Sequence, residues 1–386
     1  MKKLIVLFSA VAALAACSKN EVVPAVSGEN VEISYKVAPR TKAETQTFDT
    51  KNVFASWAYY LPSGKWDANW EVRKDAKPYI GEEHVGSTIS YKDGVWKDQN
   101  TSYYWPKEGK LTFFAYSLNS KSLTDQDGNH TYFHCLNTED AYGISGSLNL
   151  DTHPNTDFLV ADISSDKTAN ETSYYNVNGV PTLFKHRLSR IKFAVKKKDD
   201  YANATITLNS ITFNKLINGM TYTQFHKSGD SFSENMFSPE FTSRSTQVYT
   251  QTNFEVASTE FASIPDANEV RYIYIPQDFK NVTNAEKIAT IEVKYTVTLK
   301  KGTSETDKGI SETYIKTLNV KNIFDSWDMG KRYTFNLIFS LDEIKWAPAV
   351  GDWEDETKNI DVVTGEVKPE EISIPADGDT TTDEQF

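Results

Sequence analysis

Cysteine is almost absent: the 386 residues contain two, Cys17 and Cys135, with six histidines and four methionines. Cys17 closes an apolar leader, which leaves Cys135 without a partner, so the fold is expected to hold without a disulfide. The histidines give no metal site. His130 and His134 are four apart, a chelating spacing on a helix but about 13 Å on a strand. Asp125-x-Asp127-Gly128-Asn129 lacks the later ligands of a calcium loop, and Gly143-Ile144-Ser145-Gly146-Ser147 lacks the strand-to-helix setting of a nucleophile elbow. No glycine loop that would cradle phosphate occurs. No helical periodicity of about ten residues and no second long apolar run follow the leader. These absences point away from an enzyme, a cofactor or metal, and a mature transmembrane helix.

What is present begins with an export signal. Met1-Lys2-Lys3 is basic, Leu4 to Ala13 is apolar, and Leu14-Ala15-Ala16-Cys17 resembles a bacterial lipobox whose cysteine becomes the acylated first residue. The net charge of −12 is uneven, because residues 354–386 hold eleven acidic and two basic side chains. A mildly acidic body with an acidic tail argues against nucleic acid and against electrostatic docking on an anionic membrane. Lipid is then the expected tether.

Twenty tyrosines, 21 phenylalanines and eight tryptophans mark the body as all-β. After a flexible leader, Val31, Ile33, Tyr35 and Val37 alternate with Glu32, Ser34 and Lys36 as a half-buried strand, which Pro39 and the polar run beyond it end. Asp93-Gly94 marks a hairpin. Pro106 and Gly109 let Tyr103-Tyr104-Trp105 fold back on the next aromatic run. In that run Leu111, Phe113 and Ala115 share one face and Phe114 and Tyr116 the other, so it is expected to be covered on both sides. Phe184 to Val195 fits either a helical face or two strand segments whose parity shifts at Ser189-Arg190. The all-β setting favours strands with a bulge there. Regular alternation returns at Ala289 to Leu299 and Tyr333 to Leu341. The expected organisation is a signal peptide (1–16), a lipidated leader (17–30), β-sandwich domains at 31–178 and 179–353, and an acidic tail (354–386).

Several motifs together resemble the fimbrillin-like lipoproteins, or type V pilins, of Bacteroidales. They are the lipobox at Cys17, the strand before Arg40, and Tyr104-Trp105-Pro106-x-x-Gly109-x-Leu111-x-Phe113-Phe114-Ala115-Tyr116. Phe184-x-His186-x-Leu188 with Ile191, Ile275-Pro276-Gln277, Trp327-x-x-Gly330-x-x-Tyr333 and Ile344-x-Trp346-x-Pro348-x-Val350-x-x-Trp353 complete the set. The resemblance implies two tandem antiparallel β-sandwich, transthyretin-like domains, outer-membrane lipidation, and assembly into surface fimbriae that support adhesion. It also implies partners: other fimbrial subunits, lipoprotein-processing machinery and an Arg-specific protease. Cleavage between Arg40 and Thr41 would remove the strand bearing Val31, Ile33, Tyr35 and Val37, and a strand of another subunit would fill its place. Ser18-Lys19-Asn20-Glu21 departs from a strongly acidic surface-export signal, and stalk, tip and anchor subunits share these motifs.

The tail offers Val367, Ile372 and Ile374 as a candidate donor strand, against the reading of a disordered acidic tail. An alternative function is glycan binding by a non-polymerising lipoprotein through exposed tryptophans, with Trp66 and Trp70 the pair to inspect. The lipid assignment is checked by Cys17→Ala, which is expected to abolish fatty-acid labelling and membrane retention. Unchanged labelling and retention would contradict it.

Overall fold

The structure is a computed structural model that describes residues 31–39, 48–82, 84–123, 133–152, 156–168, 179–228, 231–238, 244–264, 272–300, 309–341, 344–352, 362–363 and 366–367. Cys17, Arg40, Thr41, Ile372 and Ile374 lie outside the described residues, as does the stretch from Asp125 to His130. Strand far outweighs helix among the described residues, which makes the fold all-β.

The first eleven strands are β1 Tyr35–Pro39, β2 Phe54–Leu61, β3 Lys77–Ile80, β4 Ser87–Lys92, β5 Val95–Asp98, β6 Lys110–Ser117, β7 Phe133–Asn137, β8 Ala141–Asn149, β9 Leu159–Ala161, β10 Ser164–Lys167 and β11 Val180–His186. Nine of them form one sheet in the order β10-β6-β9-β11-β1-β5-β4-β2-β3, and β2 pairs with β6 as well. That extra pairing joins β6, β9, β11, β1, β5, β4 and β2 into a closed ring. Closure is one way a sheet removes its unpaired edges.

The alternation of side chains decides what each face of the ring does. On β6, Leu111, Phe113 and Ala115 point into the ring with Phe54, Ala58, Ile89, Trp96 and Phe184. Phe114 and Tyr116, with Ala55, Trp57 and Tyr59 of β2, point outward onto a second core. The strand is therefore covered on both sides, as its sequence suggests. Asp93 and Gly94, with φ of 53° and 87°, turn β4 into β5; both positive values are what a two-residue hairpin turn requires.

The remaining strands are β12 Ser189–Lys197, β13 Ala204–Ile217, β14 Gly219–Ser228, β15 Ser231–Ser238, β16 Arg244–Glu255, β17 Ala262–Ser263, β18 Ile273–Tyr274, β19 Gln277–Asp278, β20 Thr290–Leu299, β21 Ile310–Asn319, β22 Ser326–Trp327, β23 Lys331–Phe339, β24 Ile344–Asp352, β25 Val362–Val363 and β26 Glu366–Val367. The sheets β17-β12-β23-β24 and β16-β13-β20-β21 share one core. It is built from Ile191, Phe193, Phe213, Ile291, Val293, Tyr295, Tyr333, Phe335 and Leu337. The other sheet, β15-β14-β8-β7, covers the outer face of β2 and β6.

Three expectations are corrected. The boundary at 178/179 does not separate the sheets. β11 completes the first ring, and β14 pairs with β8 across that boundary. The parity shift after His186 is not a bulge: the chain leaves one sheet at His186 and enters another at Ser189. Leu188 is buried at this crossover. Finally, Tyr103-Tyr104-Trp105 does not fold back on β6 but pairs with Val31 to Ile33.

Burial on both faces of β6 gives a test by denaturant unfolding. Phe113→Ala and Phe114→Ala, on opposite faces, are each expected to cost about 3–5 kcal/mol. A cost below about 1 kcal/mol for either would contradict the two-sided covering.

Candidate functional site, the slot held by the first strand

Residues 31–39 are held on both sides. At the start, the Trp105 N–H donates to the Val31 carbonyl at 2.9 Å and the Ile33 N–H to the Tyr103 carbonyl at 2.7 Å. The Val180 N–H then donates to the Ser34 carbonyl at 2.7 Å. From there β1 runs parallel to β11, with Tyr35 opposite Val180 and Pro39 opposite Phe184, while Tyr35 also faces Trp96 of β5. Pro39 ends the strand from within it, two residues later than the alternation suggested.

The side chains follow the expected parity. Ile33 and Tyr35 are 3% and 5% exposed, and Val31 and Val37 are half-buried against the same core. Tyr35 sits edge-on to Phe54 at 5.4 Å and to Phe113 at 6.0 Å. On the other parity Lys36 is exposed. Glu32 forms an ion pair with Lys97 of β5 at 2.7 Å and accepts from the Ser102 hydroxyl at 2.7 Å. The Lys97 hydrogen bond, then that of Ser102, hold its carboxyl below the usual carboxylate range.

Two contributors escaped the sequence reading. Gly179 has φ +83°, and a Cβ there would lie 2.6 Å from the Tyr35 carbonyl carbon and 2.8 Å from the Lys36 nitrogen. Only glycine lets β11 start this close to β1. The dipeptide Asn178-Gly179 was the available signal. Phe48 lies in the same core, stacking on Phe184 at 5.0 Å and meeting Trp96 at 5.4 Å. Arg40 and Thr41 thus belong to a segment whose two ends are each anchored in one core.

The other candidates fall apart from this slot. Val367 pairs with Val362 in the short β25–β26 hairpin. Trp66 is half-buried against Phe114 at 5.5 Å, Tyr59 at 5.8 Å and Tyr142 at 6.0 Å. Trp70 instead lines a cleft of about 460 Å³ with Asp67, Ala68, Asn69, Glu71, Glu139 and Lys227. The two rings form no shared platform. Between them the buried Arg73 donates to the carbonyls of Ala68, Thr138 and Glu139 and stacks on Tyr142 at 4.6 Å. That network pins the corner in place.

Burial pushes the Tyr35, Tyr116 and Tyr222 hydroxyls and the Cys135 thiol upward, toward their neutral forms. Cys135 is a packed apolar group rather than a thiolate. Among the described residues no cluster of His, Cys, Asp and Glu could hold a metal, and no helix is long and apolar enough to cross a membrane.

A model of the fimbrillin-like family matches residues 41–353. The chain belongs to the fimbrillin-like family. Its fold is similar to that of a fimbrial protein from Bacteroides vulgatus, with a TM-score of 0.60 at 18% identity, covering 83% of this chain and 99% of that one. A candidate cell adhesion protein from Bacteroides uniformis aligns with a TM-score of 0.46 at 11% identity, over 84% of this chain and 100% of that one. No curated protein matches the chain.

The slot itself is testable through Gly179→Ala, which strains the backbone by about 1–3 kcal/mol. Hydrogen exchange within residues 31–39 should accelerate while β20 and β23 stay protected. Unchanged exchange in 31–39 would show that the close approach does not matter.

Proposed function

We propose that this chain is a structural or accessory subunit of a fimbrium, exported as an outer-membrane lipoprotein through Cys17 and displayed at the cell surface. Cleavage after Arg40 detaches the first strand, and a strand from another subunit completes the ring and builds an adhesive polymer. The subunit needs no catalytic step of its own. Its body comprises two tandem sandwich units of the transthyretin kind.

One observation carries the reading: β1 is an inner member of the ring, yet it lies at the N-terminal end of the described chain. Its covalent link to the body runs through Arg40. Once that link is cut, non-covalent contacts retain it, among them the ladder, the Glu32 bonds to Lys97 and Ser102, and the burial of Ile33 and Tyr35. Burying an isoleucine stabilises by roughly 1.5–3 kcal/mol, and a donor strand with similar side chains recovers that term and both ladders. Supporting details agree. The family match begins at Thr41, immediately after the cut, and stops at Trp353, before the tail. Arg73 and Arg187, rival sites for an Arg-specific protease, are buried.

A trial with the chain from Ser18 to Phe386 decides between assembly by exchange and a permanent first strand. Arg-specific protease should cut first after Arg40, and the digest should then form fibres. Truncation after Trp353 should leave a folded monomer that is cut but does not polymerise if the tail is the donor. First cleavage at Arg73, Arg187 or Arg244, or fibres from uncut chain, would contradict the proposal. Normal fibres from the cut truncation would remove the tail as donor.

A further inference from the structure

The second core carries an edge that the ring does not. β21 is the last strand of the sheet β16-β13-β20-β21, and among the described residues nothing pairs with its outer side. It pairs with β20 over all ten of its residues with no shift of register. It holds no proline. Bulges, prolines, short length and charged side chains are the devices that usually blunt an exposed edge, and of these β21 carries only the charges of Glu312 and Lys316.

Apolar exposure concentrates at the same place. Ile310, Ile315 and Leu299 are 63%, 57% and 49% exposed, more than any other large apolar side chain among the described residues. Leu299 is the partner of Ile310 on β20. The alternation expected through Leu299 holds, but its last member lies beyond the core. Tyr314 and Leu318 mark the core-facing side of β21, which therefore also carries Ile310, Glu312 and Lys316. Ser311, Thr313, Ile315 and Thr317 take the outer side.

We propose that β21 is a self-pairing edge, which joins a second copy of this chain antiparallel across a two-fold axis at Tyr314. The sequence Ile310-Ser311-Glu312-Thr313-Tyr314-Ile315-Lys316-Thr317-Leu318 is nearly self-complementary about that point. Ile310 meets Leu318 of the other copy, Ser311 meets Thr317, Glu312 meets Lys316 and Thr313 meets Ile315. The two Ile315 side chains become diagonal neighbours across the axis. Keeping both cores on one side of a continuous sheet allows only registers that pair like faces. Centring the axis on Thr313 places Ile310 against Lys316, and centring it on Ile315 places Glu312 against Leu318. Tyr314 alone matches acid with base and apolar with apolar. The partner is a second copy because an isologous contact needs a self-complementary patch. The contact uses no part of the first-strand slot, so it operates whether or not Arg40 is cut.

Sedimentation velocity on the uncut chain from Ser18 to Phe386 tests this apart from any strand exchange. A concentration-dependent monomer–dimer equilibrium is expected. Glu312→Lys and Lys316→Glu should each weaken dimerisation roughly tenfold or more, because the axis applies each change twice. The double swap E312K/K316E should restore it. Both side chains are exposed, so unfolding midpoints measured at concentrations where every form is monomeric should stay unchanged, as intact monomers require. A monomer at every concentration, single reversals without effect, or a swap that fails to restore pairing would overturn the proposal. A chain that dimerises only after removal of residues 354–386 would also overturn it, by assigning the edge to its own tail.

Discussion

The ring of the first core closes through one strand, and that closure constrains everything around it. β1 and the residues just before it satisfy backbone groups of β11 on one side and of β5 and Tyr103–Trp105 on the other. Backbone N–H and C=O groups left unpaired away from water cost about as much as a lost hydrogen bond each. A ring lacking β1 therefore presents two parted edges above an opened apolar core. The body is built to hold a strand there, and the parallel ladder to β11 does not require that strand to belong to the same chain.

Position in the sheet and position in the chain conflict in β1, and the conflict is informative. An inner strand is usually tied down at both ends by the elements it follows and precedes. Here the downstream end leads through the Arg40 segment to Phe48, which is packed on Phe184 and Trp96. Gly179 and the Glu32–Lys97 pair then set how closely the strand seats rather than whether the body folds. Affinity in such a slot comes from ladders and alternate side-chain pockets, with no titrating group needed.

Faces were legible in the sequence and partners were not. Alternation along 31–37 and 111–116 reported which side chains are buried, because a strand exposes its two faces in strict turn. It carried no information on what lies beside the strand. Hence Tyr103–Trp105, attractive as a hairpin with β6, proved to pair with Val31–Ile33. The parallel partner β11 and the β8–β14 ladder were invisible for the same reason: their pairing joins segments far apart in the chain. The boundary at 178/179 followed a polar stretch in composition, whereas the sheets exchange strands across it. Trp66 and Trp70 looked like a platform because spacing does not reveal burial. The Arg73 network that fixes their corner depends on carbonyls of residues 138 and 139.

The account stands or falls on whether the first strand is a temporary member of the ring. The most direct measurement is the N-terminal residue of the protein recovered from fimbriae sheared off cells. An exchangeable first strand predicts Thr41, with residues 31–39 absent from the polymer. A polymer whose subunits begin at lipid-modified Cys17 would contradict it, because the original strand would then still occupy its slot.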